Sequence, residues 1–309
     1  MISNIILLLI RNKKMNKKIR IMEVGLRDGL QKVKKDISID NKLIIINGLI
    51  DSGVKYIQVA SFVSPQRVPQ MSHADELAKR LPIANDVQFS GLVFNEKGVE
   101  RVIKSGLKKI ETSISLSEIY SQNNLGMTIS QSIENLKKIA IMALNNKLKI
   151  RAGIQCVWGS SYDVAIDQKV ILERLADIIG MGITRISICD TAGIARPNDV
   201  TNVLELIYKN FPEIKISIHL HNTNGFGLAN LRQALKFDIR EIDTSMGGIG
   251  GSPFIDGVCG NIATEETIYM LQKMGYDIGI DINKISSLSK LLEKEIGTSY
   301  FSGEIYKTI

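Results

Sequence analysis

The sequence predicts an α/β protein, a (β/α)8 TIM barrel. Short β-branched runs alternate with longer amphipathic segments from Ile19 onward. The alternation repeats eight times in about 260 residues, the count of such a barrel. No G-x-G-x-x-G follows the first strand, so the structural competitor, a doubly wound sheet, lacks its nucleotide-binding fingerprint.

The elements follow in order. Arg20 to Val24 (RIMEV) reads as the first strand and Ile39 to Ser52 as a helix beginning near Asp40. Lys55 to Ala60 is the second strand, with a helix near Ser72 to Arg80. Val87 to Val93 precedes a helix at Glu96 to Ser105, and Lys109 to Ser115 precedes a long helix from Ser130 to Asn145. Lys149 to Val157 and Arg185 to Cys189 are the fifth and sixth strands, followed by helices at Gln168 to Met181 and Pro197 to Asn210. Pro at the start of the latter is a helix N-terminal signal. Ile214 to Leu220 leads to a helix near Leu228 to Phe237, and Glu241 to Ser245 leads to the last main helix, expected to start near Asn261. The barrel is assigned to 19–288, an N-terminal extension to 1–18, and a C-terminal helix and tail to 289–309.

At 309 residues and 44% hydrophobic, the chain can bury a large core. Its 39 Lys+Arg against 32 Asp+Glu give +7, a lean toward an acidic small molecule. The cations are dispersed among acids, and no basic run is interleaved with aromatics, which argues against a nucleic-acid partner. Cys156, Cys189 and Cys259 are widely spaced without a C-x-x-C, as expected of free thiols in a reducing cytoplasm. The apolar run Ile5 to Ile10 is far short of a membrane span of about 20 residues, and its basic residues follow rather than precede it. Met15 is a second plausible start.

Chemistry concentrates in ISIHLHNTNG, residues 216–225. Residues i and i+2 of a strand share a face, so His219 and His221, two of only three histidines, project together from one strand end. Barrel chemistry sits on the loops after the strands. There the sequence places Glu23, Arg27, Asp28 and Gln31 after strand one, Gln58 and Ser61 on strand two, Glu111 and Ser113 on strand four, Asp190 and Thr191 on strand six, and Ser245 on strand eight. Each has an ordinary reading: Asp28-Gly29 is a turn signal, Asp190-Thr191 caps a loop, and paired histidines bond each other. Together, imidazole and oxygen donors suit Mg²⁺, Mn²⁺, Zn²⁺ or Co²⁺. Met246 to Asn261 carries six glycines in sixteen residues, read as a mobile lid or, before a helix start, an anion cradle.

MEVGLRDGLQ (22–31), ASFVSPQRVPQM (60–71), CDTAG (189–193), HLHNTNGFGLAN (219–230) and GGIGGSPFIDGVCGNIATEE (247–266) resemble the hydroxymethylglutaryl-CoA lyase family over about Ile19 to Leu288. The RDG and H-x-H elements mark the wider superfamily of metal-dependent barrels, and the second and fifth motifs narrow it to the lyases. The resemblance implies a divalent cation, Mg²⁺ or Mn²⁺ first with Zn²⁺ or Co²⁺ as alternatives, held by Asp28, His219, His221 and Asn261. It implies retro-Claisen cleavage of an acyl-CoA substrate, with Arg27 neutralising the charge that grows on the thioester oxygen; of the strand-end residues, Glu23 and Asp190 are also assigned to catalysis, and Gln31, Gln58 and Ser61, with Arg27, to substrate binding. A homodimer is also expected, with neither nucleic acid nor membrane as partner. Three departures accompany it. Ser252 stands where the family's lid has its proton-donating cysteine, while Cys259 lies further along the same stretch, a candidate relocated thiol or simply a small residue. Gln58 replaces a glutamate, and Asn222 an aspartate. The alternatives are an enzyme condensing an acyl-CoA with a 2-oxo acid, and a cation-binding barrel without turnover.

Overall fold

In the computed structural model, each of the eight β-branched runs is a strand, and the strands close in chain order into a parallel barrel. They are β1 (Arg20–Glu23), β2 (Tyr56–Ser61), β3 (Gln88–Leu92), β4 (Lys109–Ser115), β5 (Lys149–Gln155), β6 (Arg185–Asp190), β7 (Lys215–Leu220) and β8 (Glu241–Thr244). Closure is made by β1 against β8, in register from Arg20 opposite Glu241 to Glu23 opposite Thr244. The structure describes residues 18–162, 166–251 and 259–309; most of the expected extension, 1–17, and Ser252 lie outside them.

Parallel neighbours need a crossover, and helices supply it. The helices are α1 (Ile39–Asp51), α2 (Ala74–Lys79), α3 (Glu96–Ser105), α4 (Glu118–Leu125), α5 (Ile129–Asn145), α6 (Gln168–Gly180), α7 (Pro197–Asn210), α8 (Gly227–Ala234), α9 (Thr264–Lys273), α10 (Ile282–Ile296) and α11 (Ile305–Thr308). Their starts follow from side chains that accept otherwise unpaired N–H groups. Ser38 accepts from Asn41 and Asn95 from Gly98, while Thr128 and Gln131 cap each other's backbone. The helices bury apolar stripes such as Leu136, Ile139 and Ala143 of α5 on the barrel's outer wall. None of the described helices is long and apolar enough to cross a membrane.

Three expectations need correction. The last main helix starts at Thr264 rather than near Asn261, because Asn261 is drawn into a bridge with His221. An unforeseen helix, α4, occupies residues 118–125, started by Ser117 and ended at Gly126 in the left-handed region. Finally, α10 runs through residue 288 and buries Ile285, Leu288, Leu292 and Ile296, so the division between barrel and tail falls inside one helix.

Candidate active site

Strand alternation decides which side chains reach the barrel mouth. On β7, Ile216, Ile218 and Leu220 join the core, so Ser217, His219 and His221 share the opposite, lumenal face. The two rings meet with their Nε2 atoms 3.2 Å apart. Asp28 arrives from β1 by one wide helical turn, Gly25–Gly29, in which the Asp28 N–H bonds back to the Val24 carbonyl at 2.7 Å. This brings Asp28 Oδ2 to 4.0 Å from His219 Nε2 and 3.9 Å from His221 Nε2. One ligand atom from each of the three therefore lies within 4.8 Å of the others, and all three residues are buried.

Asn261 joins them through its bridge to His221. Its Nδ2 donates to Asp28 Oδ2 at 2.7 Å and to the Ile249 carbonyl at 3.2 Å. Its Oδ1 is buried and accepts no hydrogen bond among the described residues. A buried amide oxygen left without a donor is the ligand type a hard cation takes. The residue before it must be glycine: a Cβ on Gly260 would stand 1.8 Å from the Gly248 carbonyl oxygen.

Arg27 closes the group. Its guanidinium donates from Nε to Gln58 Oε1 and from Nη1 to Asp28 Oδ1, and Gln31 Nε2 donates to the same Oδ1 at 3.3 Å. Burial pushes the Asp28 carboxyl up, but the Arg27 guanidinium, helped by the hydrogen bond from Asn261, outweighs it and holds it at about 2. Burial and His219 lower His221 to about 3, so its ring is neutral and one of its nitrogens keeps a lone pair for a cation. Arg27, Asp28, Gln31, Gln58, Ser61 and the two histidines all line one cavity of about 960 Å³. Arg67, Phe94 and Leu125 line the same cavity.

Beneath the histidines lies a layer the sequence reading missed. Asp243 on β8 bonds His219 Nδ1 at 3.2 Å, and Arg151 on β5 bonds both Asp243 oxygens, at 2.7 and 3.0 Å. Burial alone would raise Asp243; Arg151 more than offsets it and keeps the carboxyl well below its usual range. The signal was present in KIRAGIQ, where a lone charge inside an otherwise buried strand requires a buried partner. Cys189 was missed as well: its thiol lines the cavity, and burial with Asp243 nearby pushes it up to about 12.

The structure does not bring Glu23, Asp190 or Cys259 to the cavity wall. Glu23 is fully buried behind it and accepts from the N–H groups of Gly25 at 2.8 Å and Met246 at 3.0 Å and from the Thr264 hydroxyl at 2.6 Å. Asp190 points away from the lumen because Cys189 and Thr191 take the inward positions, and its carboxylate caps the N–H groups of Ile194 and Ala195, both at 3.1 Å. Burial raises it to about 6. Cys259 is exposed.

Glu23 gives a pH prediction. Burial raises it from 4.5 to about 7 against its hydrogen bonds, and Glu265 is raised by burial to about 7 as well. Both carboxyls are thus held protonated in the fold at pH values where the unfolded chain has ionised them. The stability they contribute is present below the unfolded value and is lost as pH rises through 7. The melting temperature falls as pH rises from about 4.5 to about 7 and levels off above that, and Glu23→Gln, which keeps an acceptor for the two N–H groups, makes that fall shallower. An equal fall in both proteins contradicts the assignment.

The family model HMGL-like matches residues 18–292. The chain is 36% identical over 283 residues to a hydroxymethylglutaryl-CoA lyase of Bacillus subtilis, covering 91% of this chain and 94% of that one. The crystal structure of the Bacillus subtilis HMG-CoA lyase superposes with a TM-score of 0.90 at 33% identity, over 94% of this chain and 98% of that one. An HMG-CoA lyase from Acinetobacter baumannii, solved in complex with coenzyme A and 3-methylmalate, superposes with a TM-score of 0.89 at 28% identity, covering 96% of each. With its barrel, its lumenal histidine pair and its Arg27-Asp28 turn in the matched region, the chain belongs to the HMGL-like family, that of the hydroxymethylglutaryl-CoA lyases.

Proposed function

We propose that this protein is a divalent-cation-dependent carbon–carbon lyase that cleaves 3-hydroxy-3-methylglutaryl-CoA into acetyl-CoA and acetoacetate. The observation that carries the reading is the buried cluster of Asp28, His219 and His221, with Arg27 bonded to the same carboxylate, at the wall of a cavity of about 960 Å³. Two imidazoles, a carboxylate and an amide oxygen accept Mg²⁺ or Mn²⁺, with Zn²⁺ or Co²⁺ as alternatives. Bound there, the cation supplies the Lewis acidity that lowers the pKa of a tertiary alcohol.

The protein's own groups complete the chemistry. A base takes the alcohol proton, the electron pair left on that oxygen forms the ketone of acetoacetate, and the bond between C2 and C3 breaks. Its electrons pass to the thioester as an enolate, which takes up a proton to give acetyl-CoA. Arg27, fixed by Gln58 and Asp28, is the preorganised cation for the charge that grows on the thioester oxygen. Because Gln58 is neutral, Asp28 is the acid paired with this guanidinium. The thiols of Cys156, Cys189 and Cys259, none of them in a disulfide, support a reducing, cytoplasmic setting.

Purified protein incubated with Mg²⁺ or Mn²⁺ and 3-hydroxy-3-methylglutaryl-CoA releases acetyl-CoA, a chelator stops the release, and the same cation restores it. No acetyl-CoA from this thioester, nor from analogues with longer substituents at C3, would sink the reading.

A further inference from the structure

The two imidazoles of the cluster are supported unequally. His221 Nδ1 is buried with no hydrogen-bond partner among the described residues. His219 Nδ1 faces Asp243 Oδ2 at 3.2 Å, and a carboxylate only accepts, so that nitrogen carries the proton and the lone pair sits on Nε2, toward Asp28 and His221. Asp243 is itself immobilised: Arg151 grips its two oxygens with two different nitrogens. Arg151 is held in turn by Glu111 through Nε and by the Ser217 hydroxyl at 2.9 Å. Lys109 Nζ, 3.5 Å from Glu111, completes the charges of the layer. Asp243 and Arg151 are 2% and 3% exposed, so water does not compete for these bonds.

We propose that Asp243, clamped by Arg151, is a positioning residue that sets the tautomer of His219 and thereby the cation affinity of the site. The proposal rests on the reading of the cluster as a metal centre, but its first test needs no metal. In Asp243→Asn the new amide meets two demands it cannot satisfy with one oxygen. Arg151 has only protons to offer and claims the oxygen, so the amide N–H₂ turns to His219. His219 then keeps its lone pair on Nδ1 and carries its proton on Nε2, where the cation should sit. Removing the competitor reverses this: in Arg151→Met/Asp243→Asn the amide oxygen is free to accept from Nδ1 again.

The chain has three histidines, His73, His219 and His221, so ¹⁵N-histidine NMR of metal-free protein resolves each ring. The expected result is an Nδ1–H tautomer for His219 in the wild type, Nε2–H in Asp243→Asn, and a return to Nδ1–H in the double variant. Calorimetric Mn²⁺ titration follows the same order, with affinity about 10- to 100-fold weaker in Asp243→Asn and partly recovered in the double variant. A general packing defect predicts no such recovery. An unchanged tautomer or an unchanged Mn²⁺ affinity in Asp243→Asn overturns the proposal. If Asp243→Asn does not fold, Arg151→Met/Asp243→Ala, which removes both charges and the acceptor, replaces it; wild-type affinity there overturns the proposal equally. Should the wild type itself bind no Mn²⁺, the metal reading fails, while the tautomers still decide whether Asp243 governs His219.

Discussion

Asp28→Ala lowers kcat by at least about 10³-fold and removes the cation dependence of what remains. Asp28 is the one anionic ligand of the cluster, and its Oδ2 is the atom both imidazoles face, at 4.0 and 3.9 Å. Removing it leaves two imidazoles, which offer lone pairs to a doubly charged ion without offsetting its charge. Arg27 loses its partner at the same time, since Nη1 donates to Asp28 Oδ1, so the cation beside the thioester loses its fixed position. Loss of the Lewis acid forfeits several kcal/mol of transition-state stabilisation, which is where the figure of about 10³ originates. The check is kcat with saturating Mn²⁺ alongside a calorimetric Mn²⁺ titration. Retention of more than about a tenth of wild-type kcat would show that these ligands are not the catalytic ones.

The second large effect is on stability. Arg151→Met unfolds the protein more easily by about 3–5 kcal/mol, because it leaves two carboxylates, Asp243 and Glu111, buried without their shared guanidinium. Each is almost fully shielded from water, so neither recovers solvation. In a chain of this size the loss lowers the melting temperature by about 5–15 °C. Arg151→Met/Asp243→Asn recovers part of it, since Glu111 keeps Lys109 at 3.5 Å. A single variant that melts like the wild type would mean that the buried layer is neutralised by proton uptake and contributes no net stability.

The barrel was legible in the sequence because the strands run through the interior as short, mostly apolar stretches bounded by polar turns, and eight longer amphipathic segments follow them in order. Helix α4 escaped because its eight residues, EIYSQNNL, show no strong apolar stripe; only its capping serine marks it. His219 and His221 were readable from period-two alternation, and Arg27 and Asp28 from their place after the first strand, whereas Asn261 and the grouping of these residues as one ligand set entered through matched motifs, since nothing in their spacing brings residues 28 and 261 together. What alternation could have rejected was Asp190: it adjoins Cys189 and Thr191, which face the cavity, and so must face away. Glu23 is subtler. An acidic residue at a strand end looks catalytic in sequence, but here the N–H groups of the turn after β1 and of the segment after β8 converge on it, which only the folded chain shows.

Gly247 and Gly248, at the root of the glycine-rich stretch, are gripped from outside the barrel. Gly303 donates to the Gly247 carbonyl at 3.0 Å, the Ser302 hydroxyl donates to that of Gly248 at 2.8 Å, and the Phe301 ring occupies the space where a side chain on Gly247 would go. Gly248 in turn touches Gly260, whose neighbour is Asn261. A minimal barrel excised at residue 288 would therefore forfeit more than its closing helix. Anyone transplanting this scaffold, or fusing another polypeptide downstream, has to carry residues 301–303 along as a strap for the cation pocket.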